Sequence, residues 1–145
     1  MEDFGEMAVK FFDEGYNCAE ASFKALCAAL GIESEIIPQV ITGFGGGIGR
    51  SNSVCGAVSG AVAAIGLKVN RQGPKDAQGK EQAYVLVNKF MKEIEKELGA
   101  IDCTSINGFN LGTDEGYAQF REHNRHGTHC APAVKKCVQL AISLW

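Results

Sequence analysis

The residues of this chain best suited to chemistry are its cysteines, of which it contains six among 145 residues. Cysteine thiolates ligate soft metals and iron–sulfur clusters, and they act as nucleophiles in thiol–disulfide exchange. Four of the six are predicted to lie in the first turn of a helix: Cys18, Cys55, Cys103 and Cys130. Free backbone N–H groups and the positive end of the helix dipole favour a thiolate at such a position. The sequence therefore predicts one site at which these four cysteines meet.

Cys55 has the strongest sequence features of a reactive thiol. It joins a glycine-rich loop to an apolar helix within the stretch 42–67, and Ser53 is well placed to cap that helix. Arg50 lies five residues before Cys55, and no carboxylate occurs between residues 43 and 67. We therefore expect Cys55 to have the lowest thiol pKa in the metal-free protein and to be the nucleophile if the chemistry is thiol exchange.

The two remaining cysteines have a spacing that separates them from this site. Cys27 follows Cys18 by nine residues, about half a revolution around a helix axis. Cys137 follows Cys130 by seven residues, which places it about 10.5 Å further along the axis. Buried free cysteine commonly behaves as a small apolar residue. We expect Cys27 and Cys137 to be core residues.

Three histidines close to Cys130 raise the question of a His/Cys metal site. His123, His126 and His129 recur every three residues in a segment that also contains arginine and glutamate. Side chains at that spacing drift by about 60° per step around a helix, so they do not share one face. The favoured interpretation is a solvated, charged segment.

Apolar periodicity and turn residues predict a single all-α domain over residues 1–145, with about six helices and a glycine-rich loop. Asn17 is expected to cap the second helix, and with Glu20 it forms a capping-box pattern. Asp102 is expected to cap a short turn that begins at Cys103. The main predicted helices cover residues 3–14, 18–30, 33–41, 54–67, 80–98 and part of 126–145, and a brief further helix is predicted over 116–124.

Small residues recur every four positions in the apolar helix, at Gly56, Gly60 and Ala64. They form a face that another helix can approach closely, either within the chain or across a homodimer. The apolar run over 54–67 has 14 residues, and a helix needs about 20 to span a bilayer. We expect a buried helix and no membrane segment.

The composition narrows the classes of partner and the compartment. The net charge is −3, the pI is near 5.6 and no basic cluster occurs, which argues against nucleic acid as the partner. Residues 1–15 are acidic and amphipathic, unlike a secretory signal, so we expect a cytoplasmic protein. Six cysteines in a reducing compartment indicate metal or cluster ligation, redox catalysis or inert burial.

At these residues the chain resembles the redox-active proteins named for a C_GCAxxG_C_C cysteine pattern. The resemblance rests on the glycines at 45–47, on Cys-Gly-Ala-x-x-Gly at 55–60, and on Cys18, Cys103 and Cys130. Val54 precedes Cys55 where the family name has a glycine. The resemblance implies a small helical protein with four matching cysteines and a prosthetic group such as an iron–sulfur cluster. Cys27 and Cys137 fall outside the pattern.

Three functions are compatible with the sequence. The first is electron transfer through an iron–sulfur cluster or other metal centre held by Cys18, Cys55, Cys103 and Cys130, with a redox partner protein. The second is metal-free thiol–disulfide exchange with Cys55 as nucleophile, although no C-x-x-C occurs. The third is a structural or zinc-binding helical module.

Overall fold

The computed structural model describes residues 2–145, and about 71% of the chain is helical, without β-strands in the described part. Its eight α-helical segments are α1 Phe4–Asp13, α2 Cys18–Ala29, α3 Gly45–Ile48, α4 Gly56–Val69, α5 Ala77–Leu98, α6 Cys103–Asn107, α7 Asp114–Glu122 and α8 Ala131–Leu144. A 3-10 helix covers Gln39–Phe44 and a π-helix covers His126–Cys130. The predicted all-α class is confirmed.

The predicted helix count of about six is wrong, because the described residues form eight α-helical segments. Two of them, α3 and α6, have only four and five residues, too few for apolar periodicity to reveal. The helix predicted over 33–41 is also displaced. The chain there forms turns, and the 3-10 helix begins only at Gln39, directly after Pro38.

Helix starts follow the local signals closely. The Asp3 side chain accepts a hydrogen bond from the Glu6 N–H, and Asn17 and Glu20 form the complete capping box. The Asp102 side chain accepts from the Ser105 N–H at 2.9 Å. The predicted caps at Asn17 and Asp102 are confirmed, and they fix the helices that begin at Cys18 and Cys103.

The core surrounds α4, whose apolar residues occur on every side. A helix that is apolar all round is stable only when other elements cover it, and here α1, α2, α5 and α8 build the rest of the core. Val58 and Ile65 of α4 are fully buried, together with Leu26 of α2, Phe90 of α5 and Val138 of α8. No helix among residues 2–145 combines the length and apolar character that crossing a bilayer requires.

The small face of α4 packs against α2 within the chain. A Cβ atom at Gly60 would lie 2.6 Å from the Ala19 carbonyl oxygen and 3.2 Å from the Phe23 nitrogen. Only a residue without a side chain allows this approach, so the predicted tight helix contact is confirmed. Because α2 covers this face, it is not available to a second copy of the chain.

Candidate functional site

One cavity of about 610 Å³ is lined by the four predicted cysteines, Cys18, Cys55, Cys103 and Cys130. Cys18, Cys55 and Cys103 lie at helix starts, and Cys130 lies where the π-helix passes into α8. Cys18 and Cys103 are the first residues of α2 and α6, and Cys55 and Cys130 are the N-cap residues of α4 and α8. The fold therefore brings together residues that are up to 112 positions apart in the sequence, from 18 to 130.

Hydrogen bonds to Thr42 fix the position of Cys18. The Asn17 side chain donates to the Thr42 carbonyl at 2.9 Å, and the Thr42 hydroxyl donates to the Glu20 carboxylate at 2.8 Å. The residues that cap α2 therefore also hold the segment that leads into the glycine-rich loop. These two hydrogen bonds place Cys18 beside that loop.

A short antiparallel pairing joins the segments that contain Cys55 and Cys103. Cys55 N–H donates to the Ile101 carbonyl at 2.7 Å, and Cys103 N–H donates to the Ser53 carbonyl at 2.8 Å. Val54 and Asp102 form the bridge between them. The expected Ser53 cap is wrong, because Ser53 lies in this extended pairing and Cys55 itself is the N-cap residue, without a side-chain cap bond.

The glycine-rich loop includes α3, which is a left-handed turn and not a regular right-handed helix, because residues 46–50 all have φ between 61° and 69°. At Gly47 a Cβ atom would lie 2.7 Å from the Cys103 Cβ and 2.8 Å from the Ser53 backbone. Ile48 and Arg50 adopt this conformation without being glycines, at a cost of roughly 1–2 kcal/mol each. Such strain often accumulates at functional sites, and this turn borders the four cysteines.

Cys18, and not Cys55, is the acidic thiol of the site. A hydrogen bond from Cys55 lowers the pKa of Cys18, and the backbone N–H groups of Gly46, Ala19 and Gly56 lower it further against the opposing effect of burial. The pKa of Cys55 is raised well above its usual value, because its thiol proton is held in that hydrogen bond and the residue is buried. The expectation that Cys55 has the lowest pKa is therefore reversed.

The other two cysteines of the cavity favour the protonated thiol. Burial, followed by the nearby Cys18, raises the pKa of Cys103 to about 11 and that of Cys130 to about 12. Asn107 opposes the effect at Cys103 by donating to its sulfur at 3.3 Å. Four thiolates would repel one another here, so a cationic centre among them would be needed to hold all four in the deprotonated form.

Cys27 and Cys137 do not line the cavity. Both are buried in the hydrophobic core, with exposed fractions of 1% and 0%. Burial raises the pKa of Cys27 to about 11 and raises that of Cys137 further. The prediction that these two cysteines are core residues is confirmed.

The histidine segment does not form the centre of a metal site. Among residues 2–145, no group of three or more His, Cys, Asp or Glu side chains surrounds one position suited to a single metal ion. His129 accepts a hydrogen bond from Arg125 at 2.6 Å. His126 is not the solvated residue that the sequence predicted. Its ring stacks on the Phe12 ring with 3.7 Å between the centroids, and it lines the cavity.

Sequence reasoning missed most of the remaining cavity wall. Besides the cysteines, the lining includes aromatic and aliphatic side chains from distant elements: Phe12, Tyr16, Ile106, Leu111, Tyr117 and Phe120. Arg50 is the cation of the lining. The helix predicted over 116–124 contains Tyr117 and Phe120, but no local pattern showed that these side chains cover the cysteines.

The pKa order predicts which thiol reacts first. In metal-free protein, iodoacetamide should label Cys18 at a pH below about 8.5, where a free cysteine is half ionised, because a lowered pKa keeps the thiolate present as the pH falls. Mass-resolved peptide mapping across pH measures this order. Cys27 serves as the internal control and should label only on unfolding. Labelling of Cys27 or Cys55 before Cys18 would contradict the assignment.

Comparisons with known proteins add a family and one relative. A family model described as "Putative redox-active protein (C_GCAxxG_C_C)" matches residues 16–144. A protein of Archaeoglobus fulgidus, described as "Uncharacterized protein", is 41% identical over 61 residues, which cover 41% of this chain and 40% of the relative. The chain therefore spans about 40% of the length of this relative. No solved structure matches the chain at a significant level.

Proposed function

We propose, because the chain belongs to the C_GCAxxG_C_C family of redox-active proteins, that it transfers electrons through an iron–sulfur cluster at the cysteine-lined cavity. Cys18, Cys55, Cys103 and Cys130 would hold the cluster as thiolates. One observation carries the proposal: these four cysteines line a single cavity, whereas the other two cysteines of the chain are buried outside it.

The donor set and the surroundings fit such a group. Four thiolates are the usual ligands of [2Fe–2S] and [4Fe–4S] clusters, and a cluster spreads them over separate iron atoms. The four cysteines share one cavity, although no three His, Cys, Asp or Glu side chains among residues 2–145 form a group that could hold a metal ion. Backbone N–H groups at the starts of α2 and α4 donate to the Cys18 and Cys55 sulfurs and offset part of the cost of gathering negative charge.

The cluster would supply one-electron transfer, and the chain's own residues would tune it. The Gly46 N–H donates to the Cys18 sulfur, and the Asn107 side chain donates to the Cys103 sulfur. Hydrogen bonds to ligating sulfurs and exclusion of water set the reduction potential of such centres. Tyr117 and Phe120 contribute to the water-excluding wall. We propose a redox partner protein in the cytoplasm as the source or acceptor of the electron.

The contact between Cys18 and Cys55 favours a second candidate function, thiol–disulfide exchange. The Cys18 thiolate would attack one sulfur of a disulfide substrate, form a mixed disulfide and release a thiolate. Cys55, after losing its proton to solvent, would attack the Cys18 sulfur and release the second substrate thiolate. A Cys18–Cys55 disulfide remains, and the two electrons of the dithiol have passed to the substrate.

Anaerobic purification followed by visible absorption and iron and acid-labile sulfide analysis tests the proposal. We expect iron and sulfide together, with an absorption band that bleaches on reduction. Absence of both, with a Cys18–Cys55 disulfide found by peptide mapping, would replace the cluster by thiol exchange. Zinc bound without sulfide would contradict both functions.

A further inference from the structure

The cavity lined by the four cysteines is large enough for a small organic molecule. Its volume of about 610 Å³ lies within the range of small-molecule sites, roughly 300–1,000 Å³. Such sites combine an apolar wall with a few polar groups that orient the ligand. Here Leu111, Tyr117 and Phe120 supply apolar wall, and Arg50 supplies a charge.

Arg50 is held at the cavity by its backbone and by the Tyr117 ring. Its Cζ atom lies 4.2 Å from the centroid of that ring, in a cation–π contact. Asn52, two residues on, donates to Asn110 at 2.7 Å and accepts from the Leu111 N–H at 3.2 Å, so the turn is tied to the far wall of the cavity. The Arg50 side chain is exposed and forms no ion pair or hydrogen bond with any other described residue, 2–145.

The positive charge of Arg50 favours an anionic ligand, and the Cys18 thiolate is the negative group of the lining that opposes it. Arg50 is the permanently charged side chain among the described residues that line the cavity, and none of those lining residues is Asp or Glu. A planar guanidinium matches a carboxylate through two parallel hydrogen bonds. A phosphate monoester carries about two charges near neutral pH, and one arginine would leave half of that charge unpaired.

We infer that this cavity binds a small organic carboxylate with a flat apolar body, beside the redox cysteines. Arg50 pairs with the carboxylate, and Tyr117 and Phe120 contact the apolar body. The inference concerns the ligand and does not depend on whether the cysteines hold a cluster or exchange disulfides.

Calorimetric titration with 2-naphthoate and its uncharged analogue 2-naphthamide tests the inference on the protein as purified. The two probes share size and ring system and differ in charge. We expect naphthoate to bind roughly tenfold more tightly than naphthamide or better, the scale of a charge-assisted hydrogen bond. Arg50→Gln should remove this preference, and Tyr117→Leu should weaken the binding of both probes.

Arg121→Gln is the matched control. Arg121 also contacts the Tyr117 ring, with its Cζ 5.8 Å from the centroid, but it does not line the cavity. This variant should keep the preference for naphthoate. If Arg50→Gln fails to fold, as judged by thermal unfolding, Arg50→Lys provides the second variant and should retain a reduced preference.

Equal affinity for the two probes in the wild type, no binding of either probe, or an unchanged preference in Arg50→Gln would overturn the inference. Iron and sulfide are measured on the same preparations. Their absence would remove the cluster proposal alone, and a charge-dependent affinity would still establish the carboxylate site.

Discussion

Replacing Gly60 by leucine is expected to lower the free energy of unfolding by about 1–3 kcal/mol or more, the usual cost of overpacking a core. Even the first carbon of the new side chain would lie 2.6 Å from the Ala19 carbonyl oxygen. Helices α2 and α4 must then separate, and this moves Cys18 away from Cys55. Denaturant unfolding and thermal melting measure the loss.

Gly66→Leu provides a control in the same helix. A Cβ atom at Gly66 would meet no heavy atom within 4 Å, so the substitution should be tolerated. It could even stabilise α4, because a helical glycine costs about 1 kcal/mol relative to good helix formers. Equal stability of the Gly60 and Gly66 variants would show that the close approach of α2 to α4 is not required.

Replacing Cys18 by serine is expected to lower the bound iron and sulfide by more than about tenfold. Changes to residues that only support metal ligands already cost roughly 10- to 100-fold in affinity, and this variant removes a proposed ligand itself. Cys55→Ser, Cys103→Ser and Cys130→Ser should have the same effect, because the four cysteines line one cavity. Metal analysis and visible absorption of anaerobically purified variants measure it.

The pattern across these variants separates the two candidate functions. Thiol exchange needs only Cys18 and Cys55, so Cys103→Ser and Cys130→Ser would retain disulfide reduction if no cluster is present. Cys27→Ala is the control, since Cys27 is 1% exposed and lies outside the cavity. Loss of iron in this variant with its fold intact would contradict the assignment of the four ligands.

Local sequence by itself determined the helical class, several helix starts and the division of the cysteines. Asn17 and Asp102 cap the helices that begin at Cys18 and Cys103, as their side-chain chemistry requires. Helical spacing and the tendency of free cysteine to be buried separated Cys27 and Cys137 from the other four cysteines. These inferences succeeded because capping and periodicity depend on residues only a few positions apart.

Only the tertiary structure decided which thiol of the site has the lowered pKa and which residue is the N-cap of α4. Cys18 has the lowered pKa because the Cys55 thiol and the N–H groups of Gly46, Ala19 and Gly56 converge on its sulfur. Pairing of 53–55 with 101–103 placed Cys55 at the helix cap and removed Ser53 from that role. A thiol pKa is set by every dipole, charge and apolar group that surrounds it in space. The elements that bring those groups together are far apart in the sequence, so helix-start signals could locate the four cysteines but could not rank them.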